Sequence, residues 1–279
     1  MSYQVQVPLT GIAGWRFLER TQTTQKSAFE NDAMMKREIA YFEENIGKVE
    51  TAADLVGDRR LLNFALTAYG LEGDLDKKAL VRKILEEGTD DKKALANRIS
   101  NTGYKEMTTA FGFGNETGVQ TATDGFAAKI VNLYKEHSFE SSVYDQNAHL
   151  GLVMNFNRKA EMLSEGEGKS WYTVLGDKQL RKVFEGALGL PASFINLDID
   201  KQAMMMEKKA KQVFGSGSLT AFQDQKNVDK LITRFLARAQ IEEGGASATG
   251  PGASALFLLQ HRNSSGSQGL LNLFYRFDG

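Results

Sequence analysis

Val56-Gly57-Asp58-Arg59-Arg60-Leu61-Leu62-Asn63-Phe64-Ala65-Leu66-Thr67-Ala68-Tyr69-Gly70-Leu71 is answered later in the chain by Leu175-Gly176-Asp177-Lys178-Gln179-Leu180-Arg181-Lys182-Val183-Phe184-Glu185-Gly186-Ala187-Leu188-Gly189-Leu190. At a constant separation of 119 residues, Gly57, Asp58, Leu61, Ala68, Gly70 and Leu71 meet the same residue types. Internal repeats decide an architecture before other patterns do. Each stretch reads as one short helix with its punctuation. Asp58 and Asp177 stand where a carboxylate caps the first turn. Gly70 and Gly189 stand where a helix ends in a left-handed residue. Between them Leu61, Phe64, Ala65 and Ala68, and then Leu180, Val183, Phe184 and Ala187, recur at i, i+3, i+4 and i+7, which is one buried stripe per helix.

A second match lies 124 residues apart: Asp76-Lys77-Lys78-Ala79 meets Asp200-Lys201-Gln202-Ala203. The same separation pairs Thr109 with Thr233, Phe111 with Phe235 and Met107 with Leu231, so the second copy carries five more residues, in the connection from Pro191 to Ile199. The shared residues are caps and core positions. They account for packing and suggest no chemistry.

The remaining chain is helical by pattern. Met35, Ile39, Phe42 and Ile46 form one stripe, Phe126, Ile130, Leu133 and Tyr134 a second that Asp124 is placed to cap, and Val228, Leu231, Ile232, Phe235, Leu236 and Ala239 a third. Only three prolines occur, at 8, 191 and 251, so these helices run without internal breaks. The reading is an all-α protein of two related multi-helix copies packed together, with little or no β-structure at the termini. Its segments are an N-terminal entry and helix over 1–31, copy one over 32–118, a connecting helix and copy two over 119–243, and a Gly-rich linker and apolar tail over 244–279.

Composition closes off several classes. Lys and Arg total 34 against 35 for Asp and Glu, so no global basic excess draws the 279-residue chain to nucleic acid. There is no cysteine, which removes disulfides, thiolate metal sites and Cys nucleophiles. The first residues, Met1-Ser2-Tyr3-Gln4-Val5-Gln6-Val7, lack the basic and apolar regions of a cleaved secretory signal. The longest apolar run, Ala255-Leu256-Phe257-Leu258-Leu259, is far short of a membrane span. A cytoplasmic protein is the default expectation; export without a cleaved signal, or a place on the flagellum, leaves no such mark.

Three histidines, His137, His149 and His261, fall in no ligand pattern, and no metal or cofactor is expected. Asp74-Leu75-Asp76 and Asp198-Ile199-Asp200 resemble the opening of a calcium loop, but the twelfth positions are Leu85 and Lys209 where a bidentate Glu is required. They read as helix starts. Gly112-Phe113-Gly114-Asn115-Glu116-Thr117-Gly118 lacks the Lys of a phosphate loop and follows a helical pattern, not a strand. It reads as a connection. Gly215-Ser216-Gly217 is one position short of a nucleophile elbow. Lys208, Lys209 and Lys211 beside Met204-Met205-Met206 read as one amphipathic helix.

After the linker Gly244-Gly245-Ala246-Ser247-Ala248-Thr249-Gly250-Pro251-Gly252 comes a tail rich in Leu256 to Leu259 and then Leu270, Leu271, Leu273, Phe274, Tyr275 and Phe277. So much apolar surface needs a cover, either the chain's own helices or a partner. These last six residues are the candidate interaction residues, and Asp58, Gly70, Asp177 and Gly189 the candidate structural caps.

Lys36-Arg37-Glu38-Ile39-Ala40-Tyr41-Phe42-Glu43-Glu44-Asn45-Ile46-Gly47-Lys48-Val49, Ala53 to Leu62, Phe64 to Leu71 and Val228 to Phe235 resemble a bacterial family known as domain of unknown function twelve-seventeen. The resemblance spans roughly Gly11 to Glu242. That family brings no catalytic motif, so no catalytic residue transfers. Its frequent place among flagellar genes implies a role in flagellar structure, assembly or export. The expectation is a non-catalytic helical protein acting through protein contacts, with flagellar components as partners and self-association open. Two alternatives stand beside it: a motif-less enzyme or ligand-binding protein with a polar pocket between the copies, and an export chaperone.

Overall fold

A computed structural model of the chain describes residues 3–164 and 170–244. Among them every regular element is helical, as the sequence patterns require. The first half contributes α1 (Gly11–Glu30), α2 (Ala33–Asn45), α3 (Ala52–Gly57), α4 (Arg59–Ala68), α5 (Lys78–Glu87), α6 (Leu95–Arg98) and α7 (Thr102–Phe111). A long α8 (Phe126–Gln146) leads to α9 (Ala148–Ser164), α10 (Trp171–Gly176), α11 (Lys178–Leu188), α12 (Ile199–Phe214) and α13 (Gln225–Gly244). Short 3-10 turns at Ile46–Lys48, Glu72–Asp74, Ala192–Asn196 and Leu219–Gln223 complete the set.

Two separate cores hold these helices. The first gathers Phe42, Leu62, Phe64, Leu66, Ile84, Phe111 and Ile130. Its centre is a stack across α2, α4 and α8: the Phe42 and Phe64 ring centroids are 4.2 Å apart, and Phe64 and Tyr134 3.7 Å. The second gathers Trp15, Leu18, Phe139, Phe156, Trp171, Phe184, Phe222 and Leu231. Its aromatics meet edge to face, with Phe184 5.4 Å from Trp171 and 5.2 Å from Phe222. Such pairs add about 0.5–1.5 kcal/mol beyond the area they bury.

Both halves order their helices in the same way. In each, a long helix (α2 or α9) precedes a six-residue helix (α3 or α10), and then the capped helix quoted above (α4 or α11). α8 lies along α4, and α13 along α11. This corrects the pairing of Thr109, Phe111 and Met107 with Thr233, Phe235 and Leu231. Those residues of α7 do not occupy, against α4, the place α13 takes against α11. The short shared pattern, two apolar positions and a threonine, fits a common helical period and not a common position.

Two of the segments also join the cores in ways that chain order alone does not show. α1 packs against α13 and α9, so the N-terminal helix belongs to the second core. The limit at 118 and 119 falls before α8, yet Phe126, Ile130 and Val131 belong to the first core while Phe139 and Val143 belong to the second. α8 is therefore a single helix shared by both. Asp124 does not cap it. Gly125 takes the N-cap position with φ 81°, and no side-chain cap bond is made.

Residues 3–10 form no strand. It runs along α1, where the buried Gln25 amide accepts from the Gln6 backbone N–H at 2.7 Å and donates to the Gln6 carbonyl at 3.1 Å. A side-chain amide thus does locally what a neighbouring strand would do. Val5 is buried beside it.

Candidate functional site

The four cap residues build the ends of α4 and α11 in matching detail. Asp58 accepts from the N–H groups of Arg60 at 2.8 Å and Leu61 at 3.0 Å, and Asp177 from Gln179 at 2.9 Å and Leu180 at 3.1 Å. The other carboxylate oxygen of each is held by the preceding long helix. Tyr41 of α2 donates its hydroxyl to Asp58 at 2.6 Å, and Lys159 of α9 reaches Asp177 at 2.7 Å. Burial works against the charge of Asp58, but the Tyr41 hydroxyl and the two N–H groups outweigh it and hold the carboxyl below its usual range.

The far ends match as well. Gly70 and Gly189 have φ of 67° and 65°. The N–H groups of Leu71 and Leu190 then turn back to the carbonyls of Leu66 at 2.8 Å and Glu185 at 3.0 Å, closing each helix with the same six-to-one bond. A side chain at Gly70 would also sit 3.3 Å from the His137 ring.

That contact leads to the junction of the two cores. His137 and Glu140 project from α8, and Arg158 and Lys159 from α9. Arg158 forks onto Glu140 at 2.7 and 3.2 Å, and Lys159 passes on to the Asp177 cap. His137 Nδ1 is 4.0 Å from Glu140. Burial, then the charges of Arg158 and Lys159, push the His137 imidazole down to about 3, so it is neutral at physiological pH. Burial opposes the Arg158 charge too, but Glu140 more than offsets it and raises the guanidinium further. Tyr69, buried at the end of α4, finds no partner for its hydroxyl among the described residues, and burial raises its pKa.

The only sequence signal for this cluster was the charged pattern of two long helices, which reads equally well as solvated surface. Chemically the cluster has an ionised pair, a neutral imidazole and a capping carboxylate. These groups turn toward one another. A groove of about 590 Å³ does exist, but it lies between α1, α2 and α8, and none of the junction residues lines it. Its walls carry Lys26, Glu30, Lys36, Glu43 and Lys135, and the Lys135–Glu30 pair at 3.1 Å links α8 to α1 across it.

The other features singled out in the sequence find structural settings. The Gly112–Gly118 loop folds back on the end of α5: Asn115 accepts from the Thr89 N–H at 2.7 Å, and the Glu116 N–H donates to Asp90 at 2.7 Å. His149 pairs with Glu243 at 2.9 Å. Asp198 caps α12 through the Lys201 N–H at 2.9 Å, whereas Asp74 is held by Lys77 and by the Tyr104 hydroxyl. Among the described residues no three His, Asp or Glu side chains converge to hold a metal ion, and no helix is long and apolar enough to cross a membrane. Leu270, Leu271, Leu273, Phe274, Tyr275, Phe277 and His261 lie outside the described residues.

Comparison with known proteins returns a family and a fold. The family described as Protein of unknown function (DUF1217) matches residues 68–228. The chain is similar to the crystal structure of protein AGR_C_984 from Agrobacterium tumefaciens, with 27% identity and a TM-score of 0.70, over 86% of this chain and 99% of that one. No curated protein matches the chain.

Proposed function

The chain belongs to the DUF1217 family, and from that premise we propose a non-catalytic helical protein that acts through protein contacts in flagellar structure, assembly or export. One observation carries the non-catalytic part of the reading. His137, held neutral by burial, and the Glu140–Arg158 ion pair are bonded to or packed against one another, and none of the three lines the groove between α1, α2 and α8. An active site needs such groups aimed at a space where a substrate can sit. The matched caps of α4 and α11 support a second part of the proposal, that the two halves descend from one duplicated helical unit. Its shared residues serve packing.

Contact is left to the surface and to the C-terminal apolar segment from Leu270 to Phe277. A role in the cytoplasm or at the flagellum, with flagellar proteins as partners, follows from the gene context the family implies. The test is affinity purification of the tagged full chain from motile cells, with motility scored in a deletion strain. The expected result is co-purified flagellar components and impaired swimming. Normal swimming, with none of those components recovered by a stably folded chain, would sink the proposal. Recovery of unfolded export substrates alone would move it to the chaperone reading.

A further inference from the structure

The long helices α8 and α13 cross the capped helices α4 and α11 in a like register. Tyr134 of α8 stacks on Phe64, and His137, three residues on, stands over Gly70. Phe235 of α13 packs on Gly186, and Arg238, three residues on, stands over Gly189. Counted from these anchors, Leu133 corresponds to Arg234 and Glu140 to Ile241. The two crossings therefore differ in charge. Over Gly70 a neutral imidazole is followed by a carboxylate, Glu140, that Arg158 holds. Over Gly189 two guanidiniums are followed by an isoleucine.

Arg234 and Arg238 lie four residues apart on one helix, so they share a face. Both meet the end of α11. The Arg234 Nε donates to the Ala187 carbonyl at 3.0 Å. The Arg238 guanidinium rests on Gly189, its Cζ 2.5 Å from the point where a Cβ would stand. Three arginines are partly buried among the described residues: Arg158, Arg181 and Arg234. Arg158 pairs with Glu140 and Arg181 with Glu185. Among the described residues neither Arg234 nor Arg238 has a carboxylate within 4.0 Å, not even Glu242 one turn beyond, and Glu243 is taken by His149. Burial, then the Arg238 charge, holds the Arg234 guanidinium below its usual range. A partly buried cation beside a like charge is an unfavourable arrangement that a bound anion relieves.

The setting selects the anion. A planar guanidinium matches the two coplanar oxygens of a carboxylate. The pair stands at the C-terminal end of α11, whose last carbonyls carry partial negative charge. A singly charged carboxylate is tolerated there better than a phosphate dianion, which favours a helix N-terminus. Arg238 is exposed, so the anion arrives from the surface. Four residues of α13 rise about 6 Å. Alternate side chains of an extended segment are about 7 Å apart, so one such segment can place a carboxylate on each guanidinium.

We propose that Arg234 and Arg238 bind an acidic segment of a protein partner, one side-chain carboxylate to each guanidinium. The proposal rests on the reading of the chain as a contact protein only in taking the carrier of those carboxylates to be a protein.

The test is fluorescence anisotropy of a labelled hexaglutamate peptide titrated with the full-length chain at low ionic strength. The expected result is saturable binding, weakened roughly tenfold or more in Arg238→Gln and in Arg234→Gln. Binding should be unchanged in Arg98→Gln, which removes an exposed arginine of α6 that makes no ion pair among the described residues. Circular dichroism checks that the variants fold, and the exposed Arg238 keeps the test decisive if Arg234→Gln does not. No saturable binding, or equal weakening in all three variants, would overturn the proposal. Inorganic phosphate displacing the peptide at lower concentration than succinate, at equal ionic strength, would overturn the choice of a carboxylate. Peptide binding by a chain that recovers no flagellar protein would uphold the site and count against the flagellar reading. Recovery of those proteins without peptide binding would do the reverse.

Discussion

Asp58 and Asp177 perform one local task in different company. Each caps a helix, a role worth about 0.5–2 kcal/mol. The second oxygen of Asp58 meets the neutral Tyr41 hydroxyl, while that of Asp177 meets the Lys159 ammonium in a largely buried pair. Removing one partner of a buried pair leaves a stranded charge and costs about 3–5 kcal/mol. Asp58→Ala is therefore expected to lower stability by about 1–2 kcal/mol, and Asp177→Ala by about 3 kcal/mol or more. Urea denaturation of both variants checks the order; equal losses would show that Lys159 finds another partner. His137 supplies a prediction in pH. Its folded pKa of about 3 lies below the ordinary 6.5, so between those values the unfolded chain binds the extra proton. Stability then falls as pH drops below 6.5, by about 1.4 kcal/mol per unit from this group. His137→Gln should flatten the stability profile between pH 6.5 and 4 relative to the parent chain. A profile of unchanged slope would mean that the imidazole is not held neutral. The caps were legible in the sequence because an N-cap acts on N–H groups two or three residues away. His137, Glu140 and Arg158 were not, because their meeting depends on how α8 and α9 lie together.

At the scale of the element, periodicity located the buried faces of α2, α4, α11 and α13, since each has one side against a core. It failed for α8. That helix buries Ile130 in one core and Val143 in the other, so its apolar residues follow no single stripe. The match of α7 to α13 failed for a related reason: a few apolar residues at helical spacing fit almost any amphipathic helix. Gly186 shows a constraint that hydropathy does not register. It lies on α11 where α13 crosses, and an added Cβ would stand 2.7 Å from a Phe235 ring carbon. Alanine gains up to about 1 kcal/mol in helix propensity, but overpacking a buried contact costs about 1–3 kcal/mol. Gly186→Ala is expected to lose stability by about 1 kcal/mol net, read as a lower thermal midpoint. A raised midpoint would show that Phe235 has room to turn.

Over the whole molecule, the all-α class could be read from the helical periodicities, but the way the two cores join could not. Two cores share α8, and a buried charge cluster sits where they meet. The functional proposal depends on that cluster being structural, because a protein that works by contact needs its halves to hold as one body. Both tryptophans, Trp15 and Trp171, lie in the second core, so their fluorescence reports that half alone while far-ultraviolet circular dichroism reports all the helices. The most direct measurement is urea unfolding followed by both signals, in the parent chain and in Leu62→Ala, a buried residue of the first core. The account predicts coincident curves in each protein and a common shift of about 2–5 kcal/mol in the variant. A tryptophan transition that stays in place while the circular dichroism splits into two steps would contradict it.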